Sequence, residues 1–152
     1  MNHWVPSMSG SVESDGSPLP PELFGTTRDP AMNAHRRRLF EAFLAMLGPL
    51  ADALGPDRCI VVRPHPSESP DAWLAAAGRR ANIRVLHEGP IIPWLLAAEA
   101  VVHNGCQTGL EAFLLDRPTI AYRPYVHEVY ELFLPNLLST KADTFDELAD
   151  LL

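Results

Sequence analysis

The chain has 152 residues, 47% of them hydrophobic and 20% charged, a composition that excludes a disordered or fibrous protein and suits one globular domain. Twelve basic residues against 19 acidic ones leave a net charge of −7, which argues against a broad nucleic-acid footprint while leaving room for a locally basic anion site. Fifteen prolines, about double the ~5% average, must sit in turns and loop entries, because helix interiors and central strands exclude them.

Residues 1–30 combine prolines and serines with few periodic apolar positions and are expected to be loop or linker, partly disordered. No charged stretch followed by an apolar run marks a signal peptide, and no 18-residue apolar run spans a membrane, so the expected compartment is the cytoplasm. Cys59 and Cys106 lack metal spacing and are expected as reduced thiols; no metal is expected.

The folded domain is expected over 31–152. From Ala31, a stripe of Leu39, Phe40, Phe43, Leu44, Leu47, Leu50, Ala51 and Leu54 predicts a helix that Gly55-Pro56 stops. Arg36, Arg37 and Arg38 are expected on its solvated end. Cys59-Ile60-Val61-Val62 is a continuous apolar run and predicts a strand buried on both faces. Further strands follow at 83–87, 100–103 and 118–122, separated by helices starting near Pro70, Ile92 and Thr108. In the tail, helical segments alternate with Pro135, and Thr144-x-x-Glu147 predicts a capping box. This alternation predicts an α/β fold with a single Rossmann-like parallel sheet and helices on both faces. Right-handed crossovers then bring every strand exit to one rim.

The unusual chemistry sits at those exits. Arg63-Pro64-His65-Pro66 fixes a histidine between two prolines, suiting His65 to act as acid or base, or to hold a phosphate when protonated. His103-Asn104-Gly105-Cys106-Gln107-Thr108 opens a helix whose free N–H groups and positive dipole end make a phosphate cradle. It is neither a P-loop nor a G-x-G-x-x-G turn. Glu111, one helical turn on, is placed to hold two vicinal hydroxyls such as a ribose diol. Glu88 and Gly89, followed by Ile92 on an apolar helix, could line a base or sugar pocket or be a plain connection. Trp94 reads as core, and the remaining histidines show no ligand spacing.

Together, V-V-R-P-H-P-S-E at 61–68, E-G at 88–89, I-P-W-L-L-A-A at 92–98, V-H-N-G-C-Q-T-G-L-E-A at 102–112 and R-P-T-I-A-Y-R-P at 117–124 resemble the surface carbohydrate biosynthesis proteins. These are glycosyltransferases of the two-domain GT-B type. More distantly the chain is similar to CDP-glycerol glycerophosphotransferases, Kdo transferases and the UDP-N-acetylglucosamine 2-epimerase fold. The resemblance implies the C-terminal, donor-binding half, with a nucleoside-diphosphate- or CMP-linked sugar as donor and no separate cofactor. It implies Gly105–Thr108 on the diphosphate, Glu111 on the ribose, His65 facing the phosphates or sugar, and Arg63 and Arg123 balancing charge. The acceptor-binding half is not among these 152 residues, so a partner half or partner chain is implied, and peripheral membrane association is compatible. Two alternatives remain: a non-catalytic nucleotide-binding or partner-docking fragment, and an epimerase-like enzyme acting on the UDP-sugar itself.

Overall fold

A computed structural model of the chain describes residues 2–6, 29–64, 69–86, 88–131 and 133–152. In chain order the elements are β1 (Asn2–Pro6), α1 (Pro30–Leu54), β2 (Cys59–Arg63), α2 (Asp71–Ala77), β3 (Ile83–Val85), α3 (Ile92–Ala97), β4 (Ala98–His103), α4 (Gln107–Leu114), β5 (Thr119–Tyr122), α5 (Phe133–Leu137), β6 (Thr140–Ala142) and α6 (Phe145–Asp150). The six strands form one sheet in the order β3-β2-β1-β4-β5-β6, and every pairing is parallel. This is the doubly wound, Rossmann-like arrangement, in which the winding reverses between β1 and β4.

Two sequence expectations need correction. Asn2–Pro6 is not linker but a strand at the centre of the sheet, paired with β2 from Asn2↔Cys59 to Pro6↔Arg63 and with β4 on its other side. Five residues next to a proline- and serine-rich stretch carry too little periodicity to announce a strand. The two flanking strands, far away in sequence, define it. The rest of the expected linker, 7–28, lies outside the described residues, and Pro30 already belongs to α1. Thr140–Ala142 is likewise an edge strand inside a tail expected to be helical; three residues, two of them exposed, show no period.

Local chemistry explains the helices. Asp29 caps α1 by accepting from the N–H groups of Ala31 (2.9 Å) and Met32 (3.4 Å), with Pro30 in the first turn where its missing N–H costs nothing. Gly55, at φ +76°, ends the helix in a conformation unfavourable for a side chain. At α6 the capping box forms in full, with Thr144 Oγ1 accepting from Glu147 N–H (3.2 Å) and Glu147 accepting from Thr144 N–H (3.1 Å).

The sheet's two faces are covered unequally. On one, Phe43, Met46, Leu47, Leu50 and Ala51 of α1 join Trp73, Ala77 and Leu148 from α2 and α6 over Ile60, Val62, Ala100, Val102, Ile120 and Tyr122. On the other, a smaller cluster gathers Val61, Leu95, Ala98, Val101 and Ala112 under α3 and α4. Ile60 and Val62 face one layer while Val61 faces the other, as a continuous apolar run in a two-sided sheet requires. No helix among the described residues is long and apolar enough to cross a membrane.

Candidate functional site

In a sheet of this order, the crevice at the carboxyl ends of β1 and β4 is where ligands bind. The chain's polar strand exits gather along that rim, but their hydrogen bonds divide them into two sets.

One set is tied into the protein. His103, the last residue of β4, has no accessible surface, and its Nε2 lies 2.7 Å from Ser139 Oγ. The Ser139 hydroxyl donates to the Pro135 carbonyl (2.8 Å), so its only proton is engaged and His103 Nε2 must carry the hydrogen of the shared bond. Nδ1 is then a bare acceptor, and it has no partner among the described residues. Burial holds the imidazole down to about 4, neutral at pH 7. Gly109 makes this packing feasible, since a Cβ there would sit 2.5 Å from His103 Nε2. Gly105, at φ +60°, makes the turn, and its N–H donates to Asn136 Oδ1 (2.7 Å). Asn136 Nδ2 donates to Glu131 Oε1 (2.8 Å), which also accepts from Arg123 Nη1 (2.9 Å). Arg123 closes the chain on Asp143 through Nε (2.9 Å) and Nη2 (3.0 Å). Asn104 donates through Nδ2 to the Tyr122 carbonyl (2.7 Å), joining the exits of β4 and β5.

Arg63 belongs to the same class. Its guanidinium donates to the Glu88 carbonyl and, at 2.7 Å, to the Gly89 carbonyl, while lying 5.4 Å above the Trp94 ring. It therefore holds the β3–α3 loop. Glu88, Gly89 and Ile92 are exposed there, at the exit of the edge strand β3. Three strand spacings, about 14 Å, separate β3 from β4.

The second set has unused capacity. Cys106 caps α4 without a side-chain cap hydrogen bond, and the Gly109 N–H donates to the Cys106 carbonyl (3.1 Å), which leaves the N–H groups of Gln107 and Thr108 at the helix start. The thiol faces the Thr108 and Gly109 N–H groups, which favour a thiolate, but burial outweighs them and pushes it up to about 11. A protonated thiol is no nucleophile at neutral pH. Gln107 is exposed, Thr108 and Glu111 are half-buried, and their spacing of three and four places all three on one face of α4. The Glu111 side chain has no hydrogen-bond or ion-pair partner among the described residues. His65 lies outside the described residues.

Sequence reasoning missed the supporting residues Glu131, Asn136, Ser139 and Asp143. A usable signal existed for two of them: Asn136 and Ser139 are polar positions three apart on a segment otherwise made of Leu134, Pro135, Leu137 and Leu138. A surface depression lined by Ala51, Asp52, Gly55, Pro56, Ala81 and Asn82 lies at the opposite end of the strands, near the entries of β2 and β3, away from these groups. No group of three or more metal-ligating side chains occurs among the described residues.

No family model and no curated protein matches the chain. Among solved structures it is similar to the crystal structure of the glycotransferase of kitacinnamycin, with 15% identity and a TM-score of 0.47 over 97% of this chain and 33% of that one. The chain thus spans about a third of the length of that structure.

Proposed function

We propose that the chain is the nucleotide-sugar-binding half of a glycosyltransferase of surface polysaccharide assembly. One observation carries the reading: the uncapped start of α4, with Gln107, Thr108 and Glu111 on one face, opens at the rim beside the reversal of strand order. Helix N–H groups and the positive dipole end suit a diphosphate. A carboxylate one turn further on suits a ribose diol, because two hydroxyl donors can be satisfied by its two oxygens. In the transfer reaction these donors would stabilise the departing nucleoside diphosphate, a role that needs fixed dipoles more than a reacting side chain. The acceptor and its base would come from another half.

A thermal-shift series with UDP, CDP and CMP tests this directly. The reading expects at least one nucleotide to raise the melting temperature at millimolar concentration and Glu111→Ala to remove the rise while leaving the unliganded melting temperature within about 1 °C. A wild-type chain that no nucleotide stabilises overturns it. The partner-docking alternative has its own observation, the exposed apolar side chains of Phe113 and Leu114 on α4 and Leu134 and Leu137 on α5. It expects no response to any nucleotide.

A further inference from the structure

The segment that follows β5 is attached to the start of α1 by rings and charges, because it has no apolar anchor. None of residues 125–131 is buried, and its aliphatic side chains, Val126 and Val129, are 53% and 77% exposed. The N–H groups of Tyr130 and Glu131 both donate to the His127 carbonyl (3.2 and 3.1 Å). That turn lays the His127 imidazole on the Tyr130 ring, with centroids 4.0 Å apart and planes 12° from parallel. Helix α1 meets the stack through His35, 5.6 Å from the His127 ring and 5.8 Å from that of Tyr130. The Tyr130 hydroxyl donates to Asp29 (2.8 Å), the residue that caps α1, and Arg38 lies 4.0 Å over the Tyr125 ring.

This attachment is built for neutral imidazoles. His127 Nδ1 accepts the Val129 N–H (3.3 Å), and a proton at that nitrogen replaces the acceptor with a donor. A proton on His35 puts a cation beside His127, on a helix end that already carries half-buried Arg36 and exposed Arg38. Two carboxylates oppose these charges: Glu131 faces His35, and Asp29 faces His127. They do not prevail at His35, where desolvation first, then His127 and Arg38, hold the proton affinity below that of a free imidazole. Asp29, held below the usual carboxylate range by the Tyr130 hydroxyl, keeps its charge where imidazoles titrate. The sign of the pH effect follows. Above about pH 6.5 histidine is neutral whether the segment is attached or released; below it, a released His35 takes the proton more readily, so attachment weakens as pH falls.

We propose that His35, His127, Tyr130 and Asp29 form an acid-released clasp, which holds residues 125–131 on α1 at neutral pH and frees them when both imidazoles are protonated. The release is local and leaves the sheet folded. Its nearest consequence is at Glu131, which accepts from Arg123 and Asn136, the latter in turn accepting the Gly105 N–H of the β4–α4 turn. The clasp stands apart from the nucleotide reading, to which none of its residues is assigned.

Proton NMR of the 152-residue chain between pH 7.5 and 5 tests it, through nuclear Overhauser effects from the His35 and His127 rings to the Tyr130 ring. Both contacts should be present at pH 7.5 and lost by pH 5, with a midpoint below 6.5 that coincides with titration of the His35 ring. The amide shifts of Ile60 and Val62 in β2 should stay in place. His35→Phe keeps a ring without a charge, and there the His127–Tyr130 contact should survive at pH 5, because one imidazolium then faces Asp29 without a second beside it. Should His35→Phe fail to fold, His35→Gln carries the same expectation. His103→Phe should lose the contacts at the wild-type midpoint, which separates the clasp from the buried histidine. Contacts that persist in wild type with both rings protonated overturn the proposal, as do contacts absent at pH 7.5. A midpoint unchanged in the His35 variants, or one that moves in His103→Phe, also overturns it, since another group then drives the release.

Discussion

Two regions of the rim are built from similar residues and differ in what those residues have left to offer. Below the β4–α4 turn, Gly105, Asn136, Glu131, Arg123 and Asp143 form an unbroken run of hydrogen bonds and ion pairs, with His103 and Ser139 packed beside it. At the start of α4, the side chains of Gln107 and Glu111 have no such closure among the described residues. A histidine, an asparagine and an arginine at strand exits look like binding residues in a sequence. Their partners decide, because a donor already satisfied inside the protein gains little from a ligand.

This contrast predicts that changes in the lower region cost stability and changes in the upper region cost binding. The largest stability effect should come from acid. His103 is neutral in the folded state down to about pH 4, whereas an unfolded histidine takes up its proton near 6.5. Above pH 6.5 both states are neutral and no penalty exists. Between 6.5 and 4 the unfolded state binds the extra proton, so stability falls with pH, by roughly 3 kcal/mol at the limit. Urea unfolding followed from pH 7 to 4 should show this slope, and His103→Phe should flatten it. Arg123→Ala comes next. Arg123 and Glu131 are only 13% and 17% exposed, so the change strands Glu131 with a reduced set of partners, and urea unfolding should register a loss of about 2 kcal/mol.

A smaller loss, about 1–2 kcal/mol, is expected for Gly109→Ala. Alanine favours a helix over glycine by about 1 kcal/mol, but its Cβ would press on an imidazole that Ser139 holds in place, and overpacking of that kind outweighs the gain. Smallest is Glu111→Ala, which removes no internal partner among the described residues and should leave the urea midpoint unchanged while abolishing nucleotide stabilisation. A Glu111 variant that unfolds like Arg123→Ala would erase the distinction between the two regions.

The fold was largely legible in the sequence, because continuous apolar runs such as Ile60–Val62 and the α1 stripe carry their own period. The proline-bounded turns and the Thr144 capping box are equally local. What escaped was non-local. Asn2–Pro6 takes its identity from strands that follow it by more than fifty residues, and Thr140–Ala142 from β5 beside it. The candidate site divides in the same way. Gly105, Thr108 and Glu111 announce a helix start by spacing alone, but that Arg123 is matched to Glu131 and Asp143 depends on contacts a linear reading cannot supply.

The most direct test is a two-dimensional NMR titration of the labelled chain with UDP or CDP, whichever stabilises it more. The account predicts that the largest shifts fall on the amides of Gln107, Thr108 and Glu111, with Arg63 and Arg123 Nε–H little changed. Shifts centred on Asn82 and Gly55 at the other end of the strands, or on the exposed α4–α5 surface, would contradict it.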